Sequence, residues 1–182
     1  MKFTEQYIEG IWVIEPSVFS DDRGYFMESF KQSEFEKFVG KINFIQDNES
    51  KSSRGVLRGL HYQTGEFAQA KLVRVIQGSV LDVAVDIRKS SSTFGHYVAI
   101  ELTAENKKQL YIPRGFAHGF VVLSNTAIFT YKVDNIYAPG HEASIIWSDP
   151  TIGIDWDISE DELILSEKDK TGKLLTEAIL FE

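Results

Sequence analysis

The sequence predicts an all-β fold, a sandwich, jelly roll or barrel, and three observations carry that expectation. Short runs rich in β-branched and aromatic residues follow one another along most of the chain. Gly, Pro, Asn and Asp punctuate them, and few stretches show helical periodicity. The 182 residues are 43% apolar and 13% aromatic, enough to bury a core as a single domain, residues 1–182.

In chain order the candidate strands are "GIWVIEP", "GYFMESF", "NFIQDNES", "GVLRGLHYQ", "AKLVRVIQG", "SVLDVAVDI", "HYVAIELT", "QLYIP", "AHGFVVLS", "AIFTYKVDN" and "ASIIWS". After the second run, Ser33 and Glu36 read as a capping box, Phe35, Phe38 and Val39 share a face, and Gly40 ends the predicted helix. Ser159 with Glu162 reads as a second cap, opening a C-terminal region of mixed charged and apolar residues. Gly78–Ser79 separates two strands as a hairpin turn would.

Two runs raise questions of direction. In "SVLDVAVDI", Leu81, Val83, Val85 and Ile87 make one face and Asp82, Ala84 and Asp86 the other. The aspartates are solvated if that face is wet, and look inward if a polar barrel interior receives them. In "GVLRGLHYQ", Arg58 and His61 lie three apart, so a regular strand points them opposite ways. Gly59 between them is where a bulge could bring both to one side.

Charge and composition narrow the function. Twenty-seven acidic against 19 basic residues give a net charge of −8, which argues against a nucleic-acid partner. A few convergent arginines could still hold a small anion. With no cysteine, disulfides and thiolate metal sites are out. "MKFTEQYIEG" lacks the apolar segment of a signal peptide and no run approaches a membrane span, so a soluble, cytoplasmic protein is expected.

"LYIPRGFAHGFVVL" holds Pro113, Gly115 and His118 as P-x-G-x-x-H, which resembles the second motif of the cupin superfamily. The first-motif place, "LHYQ", offers His61 and then Gln63 instead of a second histidine. His96 and His141 sit in loop-like or strand-edge contexts. Transition-metal sites need about three or four good ligands, so no catalytic metal is expected.

The chain resembles one family throughout, the dTDP-4-dehydrorhamnose 3,5-epimerases. The blocks "EPSVFSDDRGYFMESF", "FIQDNES", "GVLRGLHYQ", "AQAKLVRVIQGSVLDVAVDIR", "STFGHY", "YIPRGFAHGFVVLS", "YKVDNIYAPGHEASIIWSDPTIGIDW" and "LSEKDK" carry that resemblance in order. "QTGEF" departs from it where members often have a proline-containing turn.

The resemblance implies a cupin-type jelly-roll β-barrel with short flanking helices, and an isomerase that needs no cofactor. It implies a dTDP-4-keto-6-deoxyhexose substrate inverted at C3 and C5 through an enolate; a C3-only epimerase or a ketoisomerase would use the same base and clamp. His61 matches the base, Asp169 its carboxylate, Tyr131 the acid on the other ring face and Lys71 the cation beside the C4 oxygen. Ser166 and Asp169 also read as a helix-start capping pair. Asp82 is the candidate partner for Lys71, on strand alternation alone. Arg23, Arg58 and Lys168 match diphosphate contacts, each charge-assisted bond being worth roughly 1.5–3 kcal/mol. Tyr137 matches the ring that stacks on thymine, with Phe19 and Phe26 as further aromatic walls. Glu28, Gln46, Asp47, Asn48, His118 and Glu142 match positions around the nucleoside and sugar, although "QDN" on its own also reads as a turn. A homodimer is implied in which the N-terminal region, Phe19, Arg23, Phe26 and Glu28 included, serves the neighbouring site.

Overall fold

A computed structural model describes every residue, Met1–Glu182. Its strands are β1 (Lys2–Glu5), β2 (Trp12–Glu15), β3 (Val18–Asp21), β4 (Gly24–Met27), β5 (Gln46–Ser53), β6 (Leu57–Gln63) and β7 (Lys71–Gln77). There follow β8 (Ser79–Asp86), β9 (Tyr97–Thr103), β10 (Gln109–Ile112), β11 (Phe116–Val122), β12 (Thr126–Val133) and β13 (Glu142–Ser144). Two helices, α1 (Gln32–Phe38) and α2 (Glu167–Lys170), join them. None is long and apolar enough to cross a membrane.

Each candidate strand of the sequence falls on an observed one, although "ASIIWS" contributes only the end of β13. The short strands β1 and β3 were not foreseen. The antiparallel strands form a six-stranded sheet in the order β1-β2-β10-β7-β12-β5 and a five-stranded sheet in the order β13-β6-β11-β8-β9. Strands β3 and β4 pair only with each other.

One core lies between the two larger sheets, where Val73, Val75 and Phe129 of one meet Val80, Ala84, Phe116 and Phe120 of the other. A second covers the back of the five-stranded sheet, with Leu57, Leu60, Val83, Val85 and Ile87 packed under Trp156, Leu175 and Phe181. This arrangement settles the β8 alternation. Its Asp82 face shares the inner side with Val80 and Ala84, and both Asp82 and Asp86 are fully buried.

Three local expectations are corrected. Gly78–Ser79 is no hairpin turn, because β7 and β8 belong to different sheets and the chain crosses between them. Gly78 suits that crossing, at φ +76°, where a Cβ would meet the Thr126 carbonyl oxygen at 2.0 Å. Helix α1 begins after Lys31 rather than Ser33, and no side chain caps it. Tertiary packing holds it instead. Phe35 is buried against Phe30, Phe44 and Tyr111, whereas Phe38 stays exposed and stacks on Phe3. Ser159 starts only a single 3-10 turn, Glu160–Glu162, also without a side-chain cap.

Gly59 sits at an irregularity, as its position suggested. Along β6 and β11, His61 pairs with His118, and Arg58 and Leu57 pair with Phe120 and Val121, with a register shift between. Gly59 and Leu60 thus oppose the single residue Gly119, which is a bulge. The backbones approach so closely that a Cβ on Gly59 would lie 2.4 Å from Gly119 Cα. A Cβ on Gly119 would lie 2.8 Å from the Arg58 carbonyl oxygen. Gly119→Ala is therefore expected to destabilise the chain by about 1–3 kcal/mol through overpacking. A thermal melt reads this as a midpoint lower by roughly 2–4 °C per kcal/mol for a chain of this size.

Candidate active site

A cavity of about 650 Å³ opens between the sheets. The bulge aims Arg58 and His61 into it together, while Leu60 and Tyr62 stay on the back of the sheet. Lys71 from β7, His118 from β11, Tyr131 from β12 and Asn48 from β5 join them, with Lys168 and Asp169 entering on α2.

His61 Nε2 lies 2.9 Å from Asp169 Oδ1. Asp169, only 3% exposed, receives a hydrogen bond at that oxygen from the Gly59 amide at 3.1 Å. Ser166 caps α2 by the reciprocal contact with Asp169 that the sequence suggested, so this carboxylate both caps the helix and faces the histidine. Burial tends to raise the Asp169 pKa, but His61, the Ser166 hydroxyl and the Gly59 amide outweigh it and hold the value at about 2.

Lys71 is placed differently from expectation. Asp82 does not pair with it directly; both Asp82 oxygens lie within 3.1 Å of His118 Nε2, and Lys71 Nζ sits 3.4 Å from His118 Nδ1. Strand alternation identified the right face but not the ring between the two groups. Burial lowers Lys71 to about 8, against the attraction of Asp82 and Glu142 and with the repulsion of Lys168. Burial likewise lowers His118, Asp82 opposing. It raises Tyr131, which Arg58 partly counters, so the phenol keeps its proton at neutral pH.

Beside the cavity, Lys168 pairs with Glu142, which also accepts the Tyr137 hydroxyl at 3.1 Å. Arg58 donates from Nε and Nη2 to Ser52 Oγ, at 3.3 and 3.2 Å. Gln46 donates to Asn48, and Asp47 pairs with Lys132. All three "QDN" residues lie on β5, so the turn reading fails.

Phe19, Arg23 and Phe26 are not in the cavity; they line a separate hollow on the β3–β4 hairpin. Glu28 pairs with Lys31 outside it. The sequence reading missed Ser52 altogether. It also missed Ile164 and Leu165, which form an apolar wall of the cavity. Both belong to the mixed run "EDELILSEKDK", where no strand pattern marks them.

The profile of the dTDP-4-dehydrorhamnose 3,5-epimerase family matches residues 5–177. A dTDP-4-dehydrorhamnose 3,5-epimerase of Salmonella typhimurium is 55% identical, over 96% of this chain and 96% of that one. The crystal structure of one from Elizabethkingia anophelis NUHP1 is 52% identical and superposes with a TM-score of 0.93 over 97% of both chains. A Legionella pneumophila Philadelphia 1 epimerase, solved in complex with dTDP-4-keto-L-rhamnose, is 48% identical and also superposes at 0.93, over 97% of this chain and 93% of that one. The two-sheet fold is thus the cupin-type jelly roll that the resemblance implied. Matched in sequence almost from end to end and in fold to solved epimerases, the chain belongs to the dTDP-4-dehydrorhamnose 3,5-epimerase family, enzymes of the isomerase class.

Proposed function

We propose that this enzyme inverts C3 and C5 of dTDP-4-dehydro-6-deoxy-glucose, giving dTDP-4-dehydro-L-rhamnose, with His61 as base and Tyr131 as acid. One observation carries the assignment: His61 stands on the five-stranded sheet and Tyr131 on the six-stranded sheet facing it, and both line one cavity. A ring held between them has a proton acceptor on one face and a donor on the other.

The C4 ketone acidifies the protons on C3 and C5. His61 removes one, the bonding electrons move into the C4 carbonyl as an enolate, and Lys71 stabilises the oxygen that gains charge. Tyr131 delivers a proton to the opposite face, and exchange with solvent resets both groups. Asp169 orients the imidazole and stabilises its charged form. A second cycle at the other carbon completes the inversion.

In this reading Arg58 and Lys168 hold the diphosphate and Tyr137 stacks on the base, a contact worth about 1–3 kcal/mol. Asn48, His118, Gln46, Asp47 and Glu142 surround the nucleoside and sugar in the same reading. A cytoplasmic homodimer belongs to this proposal too. Phe19 and Phe26 are 64% and 66% exposed on a hairpin that also carries Arg23, paired to Asp21, an aromatic arm outside its own cavity that suits a neighbour's.

Turnover in deuterium oxide should place two solvent deuterons in the product, at C3 and C5; a single deuteron at C3 would make the enzyme a monoepimerase. His61→Ala should lower kcat by about 10²–10⁴-fold in the same assay. The Lys71 value of about 8 sets the alkaline side of the pH profile. As pH rises through it, the ammonium loses its proton and enolate stabilisation goes with it. Because Asp82 raises that pKa, Asp82→Asn should move the alkaline limb of kcat/KM to lower pH.

A further inference from the structure

The two oxygens of Asp169 are held by different parts of the chain. Oδ1 faces His61 and takes the Gly59 amide hydrogen. Oδ2 takes the Ser166 hydroxyl hydrogen at 2.5 Å and the Ser166 amide hydrogen at 3.3 Å. The Ser166 oxygen in turn accepts from the Asp169 amide at 3.3 Å.

A capping box needs only two of these contacts: the Asp169 amide to the serine oxygen, and the Ser166 amide to the carboxylate. The hydroxyl-to-carboxylate bond is additional. A hydroxyl donating to an ionised carboxylate is among the stronger hydrogen bonds.

We infer that Ser166 is a positioning residue for the reaction: its hydroxyl pins Oδ2, and so fixes the plane in which Oδ1 meets the His61 ring. This rests on the reading of His61 as the base. Helix α2 spans four residues, too few to hold its side chains by helical bonding alone. Without the hydroxyl, the carboxylate keeps one weaker contact at Oδ2 and can turn about its own axis. Water filling the gap would supply a donor, but one with no fixed place. The His61 ring then samples orientations in which its basic nitrogen misses the substrate carbon. Glu142 on β13 and His118 on β11 also act on His61 electrostatically, yet neither bonds to Asp169 and neither can replace the lost anchor.

Ser166 has two jobs, capping and anchoring, and substitutions separate them. Glycine is a fair N-cap, within a few tenths of a kcal/mol of serine, but has no hydroxyl. Alanine loses both functions, and threonine keeps both. The full chain carrying Ser166→Gly, Ser166→Ala or Ser166→Thr is assayed on dTDP-4-dehydro-6-deoxy-glucose, with a thermal melt of each.

Ser166→Gly and Ser166→Ala should lose kcat alike, by about tenfold or more, although alanine lowers the melting point further. KM should move less than about threefold, because Lys168 keeps its place. Ser166→Thr should restore kcat to within about threefold of the parent. The inference is overturned if Ser166→Gly turns over like the parent, if losses follow the melting points rather than the hydroxyl, or if KM rises while kcat holds. Should Ser166→Gly not fold, the Ala and Thr variants still decide: equal kcat in those two also overturns it. A parent enzyme that incorporates no deuterium, or a fully active His61→Ala, would count instead against the proposed function.

Discussion

The site depends on one close approach of backbone, where β6 and β11 cross at Gly59 and Gly119 with no room for a side chain on either. A regular pair of strands would send Arg58 and His61 to opposite faces. The extra residue on β6 turns both into the cavity and leaves Leu60 and Tyr62 in the core behind. It also frees the Gly59 amide from the ladder, and that amide goes to Asp169. A single irregularity therefore aims the histidine and supplies a donor to the carboxylate facing it.

The remaining charges are arranged around low polarity. Phe120 and Phe129 stack at the cavity wall beside Lys71 and His118. Desolvation there weakens the lysine's hold on its proton while Asp82, behind the imidazole, strengthens it. The balance leaves Lys71 at about 8, well below an ordinary lysine and still mostly charged at neutral pH. Asp169 is the opposite case, since several donors converge on it and keep it ionised despite burial.

Much of this was readable in the sequence because it is locally encoded. The strands, the two-faced character of β8 and the irregular point at Gly59 follow from residue type and period two. So does the Ser166–Asp169 cap. What failed depends on partners far along the chain. Gly78–Ser79 reads alike whether the next strand pairs or crosses to another sheet, and only the register of β8 with β9 and β11 decides. Alternation told which face Lys71 and Asp82 occupy, not that the His118 ring stands between them. Ser52 joins the site only because β5 closes the sheet next to β12. The β3–β4 arm pairs only with itself and carries its aromatic residues away from the cavity, which no local pattern announces.

Helix α2 carries a consequence for how the enzyme fails. It is a single turn, tied to the barrel through the Gly59 amide, the Val56–Ile164 bridge and the Lys168–Glu142 pair. The cores between and behind the sheets do not depend on it. On the proposed mechanism, fraying of this turn would silence the chemistry while every strand stays in register. Warming should thus switch the enzyme off ahead of its melting, and cooling restore it without any refolding of the barrel.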